Sequence, residues 1–574
     1  MPEAPRPADA FEDLSFDGDQ VFSTQPLSSR PSPVPAGDIV EFGEAAYLAA
    51  YPDAAAAVRA GEATSASDHY ARTGQSHHLL QSPRYRRALS GGMVEHAGNA
   101  ALPFRIDTAA VSANGTVFVV GWCDDRTSPL LSVSVVQDGE GWNTRGVARC
   151  RRLDVEAHLD APDHLFGFWA VHRLGCFDGH IRGGQQRGMS LRARMADGRV
   201  VEADLQPRLM SDEALRERVL TYFAGLAYLG NPAVESFQQL DTGAGTAMIG
   251  LNRAVSSTIA RAAHVERFGP GRSRFAASFI VCLFGKVEFF FVQQALFVTG
   301  AGVADVEFIY VLNSPELAEA LQKEARNAAH IYGLSVTLVT LPGNAGFSAA
   351  NNAAARHARS DRLVFMNPDV FPRDDGWAVR HAAILAGAPR EGTALFGVPL
   401  FYDDGSLMHG GMCFEVDQGL LVRPEGITAA GLIRVEHLGK GAPAWSTTYS
   451  RPRPVPAVTG AFISADRAWF ELLGGFTEDY VFGHYEDADL AMKSLQAGVP
   501  TWLQDLPMWH LEGKGSSRRP VHEGGSMVNR WVFTRRWGGL IEASLSGRTP
   551  VHPLLNGTPG HVARARRPNR RAGS

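Results

Sequence analysis

The stretch Asp361-Arg-Leu-Val-Phe-Met-Asn-Pro-Asp-Val370 decides how this chain is read. Leu363 to Met366 form an uninterrupted apolar run, the pattern of a short buried strand, and Asn367-Pro368-Asp369 ends it. In open α/β sheets, ligands bind outside the carboxyl ends of the strands. A carboxylate there, on a turn stiffened by proline, is placed to hold a divalent cation against a diphosphate. Magnesium-type sites use one or two protein carboxylates and leave the remaining positions to phosphate oxygens and water. Asn, Pro and Asp are also the ordinary residues of a strand exit, so the neighbouring segments must decide.

Working outward, Ala277 to Leu283 reads as a first strand, and Phe308 to Leu312 as a second ending at Asn313-Ser-Pro-Glu316. Leu334 to Leu341 is a third, ending at Gly343-Asn-Ala-Gly-Phe347. Helical patterns over Glu316 to Tyr332 and Phe347 to Arg359 separate them, which predicts a parallel sheet with helices on both faces. The Gly343–Phe347 turn allows close backbone approach and opens a helix whose N-terminus suits an anion. As a sequence it is equally a tight strand–helix turn.

Farther on, Val458-Thr-Gly-Ala-Phe-Ile463 reads as an apolar strand carrying Gly460 where a bulky ligand could approach, and Gly474-Gly-Phe476 makes a turn. Glu486, Asp487 and Asp489 open a helix that runs to Gln496 and is stopped by Gly498 and Pro500. Complementing the helix dipole accounts for one or two of these carboxylates. Another suits a general base. His510 follows a strand at Thr501 to Gln504 and is a candidate metal ligand, although a lone histidine is usually structural.

The 574 residues are too many for one core. A net charge of −5 gives no footprint for nucleic acid. Five scattered cysteines without a C-x-x-C pair argue against a disulfide framework or zinc site and for a reducing compartment. No apolar signal segment opens the chain, and Lys286, Glu288, Gln293 and Gln294 interrupt the apolar run Phe275 to Val298, so it reads as a core strand and helix. The expected order is a disordered leader (1–37), a small helical module (38–90), a β-sandwich (101–208), a helical linker (211–268), the α/β domain (274–545) and a basic disordered tail (546–574). Gly243-Ala-Gly-Thr-Ala-Met-Ile-Gly250 misses the dinucleotide spacing and reads as a helix–helix turn.

In this order the pieces resemble one family. Asn344-Ala-Gly-Phe347, Asn367-Pro-Asp369, Thr459-Gly-Ala461, Gly474-Gly-Phe476, Glu486-Asp-Ala-Asp-Leu490 and His510 are similar to the motifs of a GT-A fold, family-2 glycosyltransferase, nearest its rhamnosyltransferase-like branch. Tyr47-Leu48, Tyr51-Pro-Asp53, Val58, Gly61, His69-Tyr70 and Gly74 resemble a helical module attached to bacterial surface-polysaccharide and secreted proteins, and Ile106-Asp107, Gly121-Trp122 and Asp124 an accessory β-domain seen beside bacterial glycosyltransferases. The resemblance implies an inverting, metal-dependent, hexosyl or rhamnosyl transferase. Its partners would be a nucleotide-sugar donor and a glycan or lipid-linked acceptor in surface-polysaccharide synthesis, and its cofactor Mn²⁺ or Mg²⁺. By the same resemblance Asp487 is the catalytic base with Glu486 beside it. Asn313, Asn344, Gly346, Asn367, Asp369 and Gly460 bind the donor, and Asp369 and His510 hold the metal. Two departures stand out: Asn367 removes a charge from the metal-binding pair, and Asn313 replaces an Asp that reads the nucleotide base. They favour an alternative, a non-catalytic carbohydrate-binding or scaffolding module, against which stands the retained Glu486–Asp487 pair. Residues 401 to 454 read as an acceptor-side insertion with His409 as a candidate substrate contact. The expected location is cytoplasmic, with the arginines of 561–574 offering peripheral contact to an anionic membrane face.

Overall fold

The computed structural model describes residues 58–61, 94–96, 104–137, 140–143, 147–174, 189–387, 395–423, 426–443, 445–511 and 519–545. The leader, nearly all of the small helical module and the basic tail lie outside the described residues.

Two five-stranded sheets form the first unit. Phe104–Ser112, Thr116–Cys123, Ala148–Cys150, Gly167–Arg173 and Arg208–Met210 make one. Val94–His96, Leu130–Gln137, Glu140–Asn143, Met189–Met195 and Val200–Leu205 make the other. Period two is plain in Met189–Met195, where Met189, Leu191, Ala193 and Met195 are buried and Ser190, Arg192 and Arg194 are half-exposed. Leu191 and Ala193 pack with Val117, Val119, Val133 and Val135 in a core between the sheets. Thr116–Cys123 is buried along nearly its whole length because its outer face is covered as well. Phe118 and Val120 belong to a second core with Leu220 and Phe223 of helix α1, Asp212–Ala224.

Ser211 caps α1, its Oγ accepting from Ala214 N–H at 3.2 Å. A short helix, Pro232–Gln239, and a π-helical turn over Leu240–Ala244 with Gly243 at φ 103° lead into α2, Gly245–Arg261. The helix–helix turn read at Gly243 is therefore present. A Cβ on Gly245 would stand 2.5 Å from the Trp531 ring, so only glycine admits that tryptophan. The helical pattern does not reach residue 268. It ends at Arg261, and His264–Phe268 forms strand β1, paired antiparallel along the outer edge of the α/β sheet. The helices are also no tether. Their apolar faces share one core with the sandwich strand Thr116–Cys123 and the α/β sheet.

That sheet has nine strands: β1, β2 (Ala277–Leu283), β3 (Val306–Leu312), β4 (Ser335–Thr340), β5 (Arg362–Met366), β6 (Leu395–Gly397), β7 (Arg453–Val455), β8 (Phe462–Asp466) and β9 (Thr501–Leu503). Their spatial order is β1-β4-β3-β2-β5-β8-β6-β9-β7. β4, β3, β2 and β5 are mutually parallel, whereas β8 runs antiparallel to β5. The chain moves outward from β2 through β3 to β4, then returns to place β5 on the other side of β2. The order reverses between β2 and β5, the point at which open α/β sheets place a ligand crevice at the carboxyl edge. Every residue of β3 is buried. This explains the unbroken apolar run, since helices cover both faces.

Helices α3 (Gly346–Ala355), α4 (Glu486–Gln496) and α5 (Pro520–Leu545) frame that edge. Within the predicted insertion, Met412–Arg423 and Gly426–His437 pair as one long antiparallel hairpin. Val458–Ile463 is not a single strand. Phe462 N–H turns back to the Thr459 carbonyl, so Thr459–Ala461 forms a turn before β8.

Candidate active site

Asn367-Pro-Asp369 leaves β5 at the switch point, and its backbone is fixed from below. Gln293 Nε2 lies 3.1, 3.3 and 3.2 Å from the carbonyls of Asn367, Pro368 and Val370, and Gln293 Oε1 accepts from Tyr310 O–H at 2.9 Å. Gln293 and Gln294 are fully buried. Gln293, which interrupts the apolar run, is thus a polar clamp under this turn, while Gln294 Nε2 donates to the Tyr310 hydroxyl at 2.7 Å. Asp369 is buried, and its Oδ1 stands 3.4 Å from Nε2 of buried His510, while its carbonyl accepts from Leu511 N–H. Strand Met508–His510 pairs antiparallel with Val370–Pro372, which brings the two side chains together.

The turn after β4 is satisfied in detail. Asn344 Oδ1 accepts from Gly346 N–H at 2.9 Å, and Asn313 Oδ1 from Ala345 N–H at 3.1 Å. Asn313 Nδ2 donates to the Gly346 carbonyl at 3.3 Å and to Cys282 Sγ at 3.2 Å. The amide expected to read a nucleotide base is thus committed, at both ends, to holding the turn. Gly346 has φ 81°, and a Cβ there would lie 3.1 Å from Phe482 Cα. Arg216 of α1, 2% exposed, donates to the Asn344 carbonyl at 2.7 Å and to Asn252 Oδ1 at 3.0 Å, and its guanidinium lies over the Phe482 ring. Burial pushes Arg216 down to about 10.

The carboxylates of α4 separate into distinct roles. Asp489 is structural: it accepts from Thr477, Tyr480 and Trp537 and pairs with Lys493 and Arg536. Burial alone would raise its carboxyl, but Arg536, Lys493 and these hydrogen bonds outweigh that and hold it low. Asp487 is partly exposed, and its Oδ2 accepts from Gly460 N–H at 2.7 Å. Burial raises it from its usual value, opposed by the Gly460 and Ala488 N–H groups. Glu486 is buried with no hydrogen-bond partner for Oε2, and burial, then the neighbouring Asp487 charge, raises it well above its usual value. The approach to these residues is strained, because Phe482, His484 and Tyr485 all have positive φ (59°, 87° and 76°).

Backbone contacts join the pieces into one arc. Asn367 N–H donates to the Ala461 carbonyl, and Gly460 donates to Asp487. Phe347 N–H meets the Phe482 carbonyl, and a Cβ on Gly460 would lie 3.4 Å from the Phe347 ring. All nine residues read from the sequence therefore gather at the carboxyl edge. His409 does not join them as a substrate contact. It is fully buried, accepts from Thr459 N–H, and stands 3.0 Å from His437 Nδ1. The signals missed in the sequence were Arg216, Gln293 and Asn529, which act on the site through the backbone of distant segments.

Among the described residues, no three His, Cys, Asp or Glu side chains converge as a metal cage. Asp369 and His510 fit a two-ligand site. Their 3.4 Å separation suits two donors on one ion at about 2.0–2.2 Å each. The buried His510 Nδ1 has no hydrogen-bond partner, so the outer support usual for a ligating histidine is missing.

Residues 304–409 match the family model described as glycosyl transferase family 2. The α/β domain has the GT-A fold. The matched stretch contains Asn313, Asn344, Gly346, Asn367 and Asp369, and it supports a nucleotide-sugar glycosyltransferase. A curated relative, the uncharacterized protein y4gI of Sinorhizobium fredii, is 26% identical over 196 residues, which is 33% of this chain. The aligned part spans only 20% of that relative's length. Among solved structures, GalNAc-T7 with UDP, GalNAc and Mn²⁺ is 15% identical with a TM-score of 0.33, over 44% of this chain and 47% of that one. The mannosyltransferase PcManGT of Pyrobaculum calidifontis, in complex with GDP-Man and Mn²⁺, is 14% identical with a TM-score of 0.29, over 58% and 93%. Among the described residues, no helix is long and apolar enough to cross a membrane.

Proposed function

We propose that the GT-A domain is an inverting glycosyltransferase that moves a hexosyl or rhamnosyl group from a nucleoside-diphosphate donor to a glycan or lipid-linked acceptor in bacterial surface-polysaccharide synthesis. The observation that carries this reading is the arc from Asp369 through Asn367 and Gly460 to Asp487 at the topological switch point. Asp487 is partly exposed, held by two N–H groups and raised by burial, as a general base requires. It takes the proton of the acceptor hydroxyl as that oxygen bonds to the anomeric carbon. The bond from the anomeric carbon to the diphosphate oxygen breaks, and its electron pair leaves with the diphosphate. The Gly343–Phe347 turn and the Asn367 turn bind and orient the donor on either side. Asp369 and His510 would hold a divalent cation, which when bound would supply neutralising charge for the diphosphate. Asn367 lowers the site's negative charge and so its affinity for the ion. Two features favour a second reading, a non-catalytic binding module: the asparagine at 367 and the amide of Asn313 being consumed by the turn. The proposed setting is the cytoplasmic side of a membrane, supported by the arginine-rich composition of residues 561–574.

Calorimetry with nucleoside diphosphates, with and without Mn²⁺, tests the metal assignment. Wild type is expected to bind at least tenfold more tightly with Mn²⁺, and a variant carrying both Asp369→Ala and His510→Ala to lose that enhancement. Full metal dependence in the double variant would place the ligands elsewhere.

A further inference from the structure

We propose that Asn529, in the middle of α5, is a positioning residue that sets the backbone of the 481–485 turn and through it the aim of Asp487; the second half of this proposal rests on Asp487 being the base. Asparagine is a poor choice for a helix interior, where its side chain competes for backbone groups. Here Asn529 is fully buried and spends its whole amide on one foreign turn. Oδ1 accepts from Val481 N–H at 2.6 Å. Nδ2 donates to the carbonyls of Val481 at 2.9 Å, Gly483 at 2.7 Å and His484 at 3.1 Å. Only a planar group with a donor and an acceptor side by side can hold both ends of the turn in this way.

The turn so held is the strained one. Phe482, His484 and Tyr485 stay in the left-handed region only because their surroundings over-determine them. Glu486 and Asp487 follow directly, and Asp487 meets Gly460 at 2.7 Å. The helix is shaped to reach this turn. A Cβ at Gly524 would fall 2.3 Å from the Leu220 carbonyl of α1, and one at Gly525 would touch Val481 and Phe482 at 3.4 Å. Gly525 and Asn529 are four residues apart and face the same way. Gly524 in this 26-residue helix therefore marks close approach, not weakness.

The test uses full-length Asn529→Leu and Asn529→Asp. The first removes every contact; the second keeps the acceptor and turns a carboxylate towards three carbonyls. Turnover is followed with whichever of UDP-, GDP- and dTDP-hexoses the wild type hydrolyses fastest. At a temperature where circular dichroism shows intact fold, kcat is expected to fall about 100-fold with donor KM within threefold, as for a misplaced catalytic group. Amide exchange over Val481–Ala488 should quicken while the rest of the sheet stays protected. Asn529→Gln, which keeps the amide one methylene farther out, should lose about tenfold and carries the test if the other two misfold. Folded variants with kcat within threefold of wild type, or exchange that quickens uniformly, would overturn the proposal. Asp487→Asn is run in parallel. Unimpaired turnover there would refute the base while leaving the local exchange at Val481–Ala488 to decide the clamp.

Discussion

Two turns flank the candidate crevice, and they differ in strain. The 343–347 turn places its left-handed conformation on Gly346, and its neighbours Asn313, Asn344 and Arg216 satisfy the backbone around it. The 481–485 turn places left-handed conformations on Phe482, His484 and Tyr485, and holds them from outside with Asn529. The first leaves its positive φ to a glycine and carries little strain. The second stores strain next to Glu486 and Asp487. Both turns are held by distant side chains, so the difference lies in the strain: glycine carries the left-handed conformation of the first, whereas three non-glycine residues carry it in the second, beside the proposed base and clamped by Asn529.

Gly346→Ala should break the relaxed turn. A Cβ at φ 81°, 3.1–3.3 Å from the Phe482 backbone, is expected to cost about 2 kcal/mol, seen as a lowered denaturation midpoint. Glu486→Gln should sharpen the contrast by removing a buried carboxyl from the strained side. Its folded value is raised, so the folded state keeps a proton that the unfolded chain releases. Wild-type stability therefore falls as pH rises above the ordinary carboxylate range, and the glutamine variant escapes that loss. The variant's melting temperature should exceed wild type by about 2–4 °C at pH 8, the shift that ~1 kcal/mol gives a domain of 150–250 residues, and by less at pH 5. A pH-independent difference would place the proton elsewhere. His484→Gly is the mildest test. Relief of about 1–2 kcal/mol of left-handed strain, less ~0.5–1 of extra unfolded-chain entropy, leaves a small net stabilisation. A loss of stability would mean that the exposed side chain makes contacts that matter more than its strain.

Much of the relaxed side was legible in the sequence. Apolar runs gave β2 to β5, and the polar clusters after them gave the crevice, because strand burial and turn chemistry are local properties. Helix α4 could be read from Glu486 to Gln496 for the same reason. The strained side was not legible. Asn529 meets its turn across a separation of 45–48 residues, and no spacing rule reports that. The clue was an asparagine downstream of Gly524-Gly525 in an otherwise helical stretch. The shift of His264–Phe268 from helix to strand has a similar cause, since an edge strand takes its form from the partner it pairs with. Thr459–Ala461 misled because an apolar run with a glycine fits a turn as well as a strand.

The central claim is that Asp487 is the base of a single-displacement sugar transfer. The most direct measurement compares wild type with Asp487→Asn for turnover of a sugar nucleotide with Mn²⁺ and, separately, for donor affinity by calorimetry. The amide keeps the shape and one hydrogen-bond acceptor but takes no proton. The account predicts a kcat lower by about 10³-fold, within the range for general-base loss, and a donor affinity within threefold of wild type. Near-normal turnover in that variant would contradict it.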